Sequence, residues 1–287
     1  MDKIMKIGAF YQSGHKLVAC HIALKQLRKI YPSIPIALYE DGRDILKVTA
    51  DEFSCAYKKI KTLNTNSSHW IGSTYSGRPV RDLESNLAWL SRIYESCQTT
   101  LSNVDLILHY EDDVWCRRTI EAWPEYDVAG YNGKNIGPIY TQELIHYMFQ
   151  RFRGNFDTRG YWSKNGSLIS YGACGGSIFS KNKFMEAYER ISEIDWNLIY
   201  NLDTRPCEWS DASLSFIMQH AGFSYGVWSD WAEYETKNIS NNGDKTGWTT
   251  PFSETPNAAF IHLYKHFYDY NNDELSLALD YYNNKLL

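Results

Sequence analysis

Apolar and polar positions along the first hundred residues switch repeatedly between two periods. Lys3 to Phe10 is almost continuously apolar or small and reads as a strand. From His15 to Ile30 the apolar Leu17, Val18, Ile22, Leu24, Leu27 and Ile30 recur at mixed three- and four-residue spacing, which predicts a helix buried along one face. Pro32 ends that helix, and Ile34 to Tyr39 forms a short apolar run closed by Glu40-Asp41-Gly42, a second buried strand with a turn at its C-terminal end. Residues 64–81 are rich in Asn, Ser, Thr and Gly and contain Pro79, so they predict a loop too long for a simple connection, of the kind that covers a site.

Asp82 is placed to cap a helix carrying Leu83, Leu87, Leu90, Ile93 and Cys97, and Val104 to His109 is a further apolar strand that runs into Glu111-Asp112-Asp113. Tyr126 to Tyr131 adds a strand, and 132–170 is irregular around a helix at Ile139 to Phe149. Tyr171 to Ser180 is a glycine-rich turn entering a strand. Helices follow at Lys181 to Ile191 and Asp211 to His220, then a strand at Phe223 to Trp228. Strand and helix patterns in alternation predict an α/β fold, a mixed central sheet flanked by helices. Without a repeat, a low-complexity block or a linker, the chain reads as one unit over residues 1–287.

Composition narrows the partners. The formal charge of −5 and the lack of a long basic run disfavour a nucleic-acid backbone or an anionic membrane, and favour a small polar ligand. No stretch approaches the roughly 20 apolar residues that span a bilayer, and the first residues lead straight into a strand, so a soluble, cytoplasmic protein is expected. The six cysteines are scattered without a CxxC pair and read as free thiols. Ten Trp, 22 Tyr and 12 Phe serve either as packing or as faces on which sugars stack.

Four local features carry candidate chemistry. Three acids directly after an apolar strand concentrate negative charge at a low-dielectric edge, where open α/β sheets bind ligands; a hard divalent ion, Mg²⁺ or Mn²⁺, would neutralise it, and the plain alternative is a solvated acidic turn. Gly175-Gly176 lets backbone approach another group closely, a bound sugar among the options, or simply makes a tight turn. Asp211, in Glu208-Trp209-Ser210-Asp211, is either a first-turn helix acid or a general base. His262, polar within Phe260-Ile261-His262-Leu263, is either a metal ligand or a satisfied core histidine.

Taken in order, Glu111-Asp112-Asp113, Gly175-Gly176-Ser177-Ile178-Phe179-Ser180-Lys181, Ser210-Asp211-Ala212-Ser213-Leu214 and Phe260-Ile261-His262 resemble the motifs of inverting GT-A glycosyltransferases of the fringe and core 1 galactosyltransferase kind. The triplet departs from Asp-x-Asp, and the later acidic pair is Ser-Asp, with Glu208 displaced upstream. The resemblance implies a GT-A domain with a nucleotide-sugar-binding half, 1–113, and an acceptor-binding and catalytic half, 114–287. It implies Mn²⁺ or Mg²⁺ held by Asp113 and His262, Asp112 supporting the ribose or a metal-bound water, and Glu111, Gly175 and Gly176 beside the donor. Asp211 is the implied base. Gln12, Asp41 and Arg81 are candidates for base, ribose and phosphate contacts. The implied reaction moves a sugar, hexosyl or pentosyl, from a nucleotide diphosphate, UDP foremost, to a hydroxyl of a glycan or other acceptor with inversion. A retaining transferase, a nucleotidyltransferase and a non-catalytic sugar-binding protein remain as alternatives.

Overall fold

The computed structural model describes residues 5–13, 17–41, 44–60, 83–112, 114–130, 140–152, 173, 175–234 and 257–263. The covering loop expected at 64–81, the cap expected at Asp82 and the candidates Arg81 and Asp113 lie outside these residues.

The chain builds a seven-stranded mixed sheet flanked by helices. Third in its order is β1, Ile7–Ser13, buried at every position. On one side of it lies β2, Ile36–Asp41, followed by β3, Ala56–Ile60; on the other lies β4, Leu106–Tyr110. These four strands are parallel. Beyond β4 come β7, Ile178–Ser180, then β6, Val128–Gly130, and β8, Tyr225–Val227, with β7 antiparallel to both its neighbours. A three-stranded sheet is formed by β5, Val114–Cys116, β9, Trp231–Tyr234, and β10, Phe260–Leu263, in the order β5-β10-β9.

Helix α1, Leu17–Ile30, packs against β5. The short α2, Lys47–Glu52, precedes β3. On the opposite face of the sheet α3, Leu83–Gln98, packs against α5, Lys181–Glu189, α7, Arg205–Glu208, and α8, Ser210–His220. Helix α4, Gln142–Phe152, lies against α6, Trp196–Leu202. Among the described residues no helix is long and apolar enough to cross a membrane. The five described cysteines are free, as their spacing predicts.

Several expectations shift for identifiable reasons. The first strand is expected at Lys3 to Phe10 and lies at Ile7–Ser13. Its polar end, Tyr11-Gln12-Ser13, continues the strand because each side chain finds a partner there, Asp112 for the two hydroxyls and Arg92 for the amide. In α1 the expected core residues Leu17 and Val18 are exposed, and the buried stripe is Ala19, Cys20, Ala23, Leu24 and Leu27. Small residues at Ala19, Cys20 and Ala23 let the helix axis approach the sheet; Tyr110 Oη donates to the Ala23 carbonyl at 3.1 Å. The strand β3 escapes the apolar pattern because it is a sheet edge, and Lys58 and Lys59 meet Glu95 and Asp44 at 2.5 and 3.1 Å along it.

Candidate functional site

The C-terminal edge of β1 and β4 gathers most of the chemistry. In the parallel register Phe10 is level with His109 and Tyr11 with Tyr110, so one step further Gln12 is level with Glu111 and Ser13 with Asp112. Alternation then divides the polar groups between the two faces of the sheet. Asp112 faces the α1 side, where it accepts hydrogen bonds from Tyr11 Oη and, at 2.9 Å, from Ser13 Oγ. Burial first, and then the Asp112 charge, holds the Tyr11 phenol well above its ordinary pKa, so it remains a donor. Two hydroxyls thereby pin the middle acid of the triplet to the neighbouring strand.

Glu111 faces the α3 side, between two histidines. His109 Nε2 is 3.3 Å from Glu111 Oε1, and His262 Nε2 is 3.9 Å from Glu111 Oε2. The other nitrogen of His109, Nδ1, is 2.7 Å from the Ala173 carbonyl. A carbonyl only accepts, so Nδ1 carries a proton, and a second proton on Nε2 suits the Glu111 carboxylate. Burial opposes the charge on His109, but Glu111, the Ala173 carbonyl and the more distant Asp211 together raise its pKa above the ordinary value. Its ring lies edge-on to Trp89 of α3, with centroids 5.2 Å apart. His109 is a candidate site residue that the sequence pattern does not mark out, because it sits inside an apolar strand. Its spacing of two residues from Glu111, which puts both on one face, was the available signal.

His262 arrives from the other end of the chain. Strand β10 is antiparallel to β5 with His262 level with Val114. The imidazole is 6% exposed and stacks on Trp231, with centroids 6.2 Å apart. The loop entering β7 fits between these parts. A Cβ on Gly175 would lie 2.6 Å from Glu111 Oε2 and 2.8 Å from Val114 Cγ2. Gly176 has φ +86°, and a Cβ there would lie 3.2 Å from the Trp231 ring. Trp231 Nε1 donates to the Gly175 carbonyl at 2.9 Å. The close approach expected at the two glycines is therefore made to Glu111 and Trp231 of the protein itself.

Asp211 stands in the first turn of α8, where its Oδ1 accepts the Ala212 N–H at 2.9 Å. Its charge reaches His109, which ties this helix start to the Glu111 side of the site. Glu208 accepts the Thr204 hydroxyl at 3.2 Å. Asp41 ends β2 beside the fully buried Glu40, whose carboxylate accepts hydrogen bonds from Ile45 N–H, Leu46 N–H and Tyr57 Oη–H at 2.5, 3.0 and 2.6 Å. Gln12 is held by Arg92, whose Nε donates to Gln12 Oε1 at 2.9 Å.

Among the described residues no three His, Cys, Asp or Glu side chains gather as a metal site. Glu111 and His262 nonetheless bring a carboxylate oxygen and an imidazole nitrogen within 3.9 Å of each other. That donor chemistry fits Mn²⁺ or Mg²⁺ once a second carboxylate is added.

No family model and no curated protein sequence matches the chain. Its course is similar to that of solved structures, among them two of one enzyme. One is the galactosyltransferase LgtC in complex with donor and acceptor sugar analogs, with a TM-score of 0.47 and 10% identity over 95% of both chains. The other is an active-site mutant of LgtC, with a TM-score of 0.49 and 12% identity over 95% of both chains.

Proposed function

We propose that the chain is a metal-dependent glycosyltransferase of the GT-A type, transferring a sugar from a nucleotide diphosphate, UDP foremost, to an acceptor hydroxyl with inversion. The observation that carries this reading is the convergence of Glu111, His109, His262 and the Gly175-Gly176 turn at one sheet edge, with the charge of Asp211 reaching the same His109. These residues come from distant parts of the chain, and a sheet edge made only for packing has no need of two histidines around one carboxylate.

In this proposal residues 1–113 form the nucleotide-sugar half and 114–287 the acceptor and catalytic half of a single domain. Asp113 and His262 would hold Mn²⁺ or Mg²⁺. When bound, the ion supplies positive charge that stabilises the departing nucleotide diphosphate. Glu111, set by His109, orients His262 from its other side. Asp112, fixed by Tyr11 and Ser13, holds the triplet's backbone in place and faces the ribose side. Gln12, Asp41 and Arg81 would contact base, ribose and phosphate. Asp211 would take the proton of the acceptor hydroxyl as that oxygen attacks the anomeric carbon, a contribution of roughly 10²–10⁴-fold.

The test is a screen of nucleotide sugars for slow hydrolysis and for transfer with Mn²⁺, with and without excess EDTA, followed by NMR of the product's anomeric configuration. The expected results are EDTA-sensitive turnover, an inverted linkage, and a loss of about two orders of magnitude in kcat for Asp211→Asn with donor affinity kept. Retained configuration together with normal turnover of Asp211→Asn would take the base role from Asp211. Turnover indifferent to EDTA would take the metal from the mechanism.

A further inference from the structure

Gln12, next to last in β1, lies on the same face of the sheet as Glu111, which follows the neighbouring β4, and is 9% exposed. Arg92, also 9% exposed, reaches it from α3 and donates Nε–H to Gln12 Oε1. A guanidinium has donors and no acceptor, so the amide atom that faces it must be the oxygen. That removes the usual freedom of a glutamine to present either end of its amide. The end left over is Nε2, a buried donor with no hydrogen-bond partner among the described residues. A buried donor without a partner is costly, and folded proteins keep few of them.

Resting on the transferase reading above, we infer that Arg92 is a positioning residue that locks Gln12 as a donor for an acceptor oxygen of the bound nucleotide, so that the site selects against a nucleotide with an amino group there. The first source of that oxygen is the C4 carbonyl of uracil; an oxygen common to UDP and CDP, at C2 of the base, on the ribose or on the phosphates, is the other. Uracil and cytosine share the carbonyl at C2 and differ at C4, a carbonyl in uracil and an amino group in cytosine, and at N3, which carries a proton only in uracil. UDP and CDP therefore separate the two sources, because every acceptor oxygen other than that at C4 is the same in both.

A lock of this kind makes four variants behave differently. Arg92→Lys still presents a donor to Oε1 and keeps the amide sense. Arg92→Met packs similarly but lets the amide turn over. Gln12→Glu keeps the contact with Arg92 and replaces the donor by an acceptor, and Gln12→Leu removes both. A merely structural role for Arg92 would change stability and leave base preference untouched.

The experiment is equilibrium titration of UDP and CDP against the full chain in Mn²⁺, with melting temperatures measured in parallel to confirm folding. Wild type should bind UDP over CDP by about tenfold or more, as expected of a site built to hydrogen-bond one of two near-isosteres. Arg92→Lys should retain the ratio, Arg92→Met should compress it toward one, and Gln12→Glu should reverse it. If Arg92→Met and Gln12→Leu weaken both nucleotides equally while folding is kept, the oxygen is one that UDP and CDP share, at C2, on the ribose or on the phosphates, and the selection against an amino group is overturned while Arg92 keeps its positioning role. Unchanged affinities and ratio in folded Arg92→Met and Gln12→Glu would overturn the inference while leaving the transferase reading intact. No binding of either nucleotide to wild type would overturn both.

Discussion

At the scale of single residues the decisive constraint is space around Glu111. Its carboxylate has His109 on one side and His262 on the other, and the backbone of Gly175 closes the third. A methyl group at residue 175 would meet Glu111 Oε2 at 2.6 Å and Val114 Cγ2 at 2.8 Å, inside any real contact distance. Val114 is held in β5, so the Glu111 side chain is the part that yields. Gly175→Ala should therefore turn Glu111 away from His262, costing about 1–3 kcal/mol of stability as overpacking and reducing Mn²⁺ affinity and turnover together. A titration of Mn²⁺ against the variant checks this, and unchanged affinity would show that Glu111 has no influence on the ion. The sequence displayed the glycine pair, but it did not show what the pair approaches, because the partner lies more than sixty residues away along the chain.

Among the elements, legibility followed burial. The helices α1, α3 and α8 and the strands β2 and β4 are close to their expected places because each repeats an apolar period against a continuous core. The elements that were not expected, α2, β3, β5, α6, α7 and β9, are short or lie away from the central sheet, where three to seven residues leave no period to read. Strand β10 matters most for the site. His262 stood out as a polar residue in an apolar run, but its pairing with β5 could not be inferred from local pattern. That pairing makes a prediction at this scale. An ion held as proposed by Asp113 and His262 would join two sheets, so Mn²⁺ should raise the melting temperature, with about 2.7 kcal/mol gained at a hundred times its Kd. His262→Ala should remove most of that gain while leaving the metal-free melting temperature within a few degrees. If the ion stabilises the variant as much as wild type, His262 is a core histidine and no more.

For the whole molecule, stability against pH turns on two buried histidines that act in opposite directions. His109 is raised above its ordinary pKa, so its contribution is fully present below the ordinary value and is lost as pH rises through the folded value. His220, at the end of α8, is 2% exposed, packs 5.6 Å from the Phe216 ring and has no hydrogen-bond partner for Nε2 among the described residues. Burial first, then Arg151 and Arg190, lower its pKa from 6.5 to about 4, with Glu193 opposing. Between those values the unfolded chain takes up a proton that the folded chain refuses. Stability from this residue is therefore complete above 6.5 and is lost as pH falls toward 4, by up to about 3 kcal/mol for a shift of this size. Replacing His220 by Phe keeps the ring in the core and removes the titration. Denaturant unfolding of wild type and His220→Phe at pH 7 and pH 4.5 should show the variant losing less stability on acidification, with the difference between the two proteins growing as pH drops. A constant difference across that range would mean that His220 titrates alike in the folded and unfolded chains, and that the acid sensitivity of the fold lies with its carboxylates.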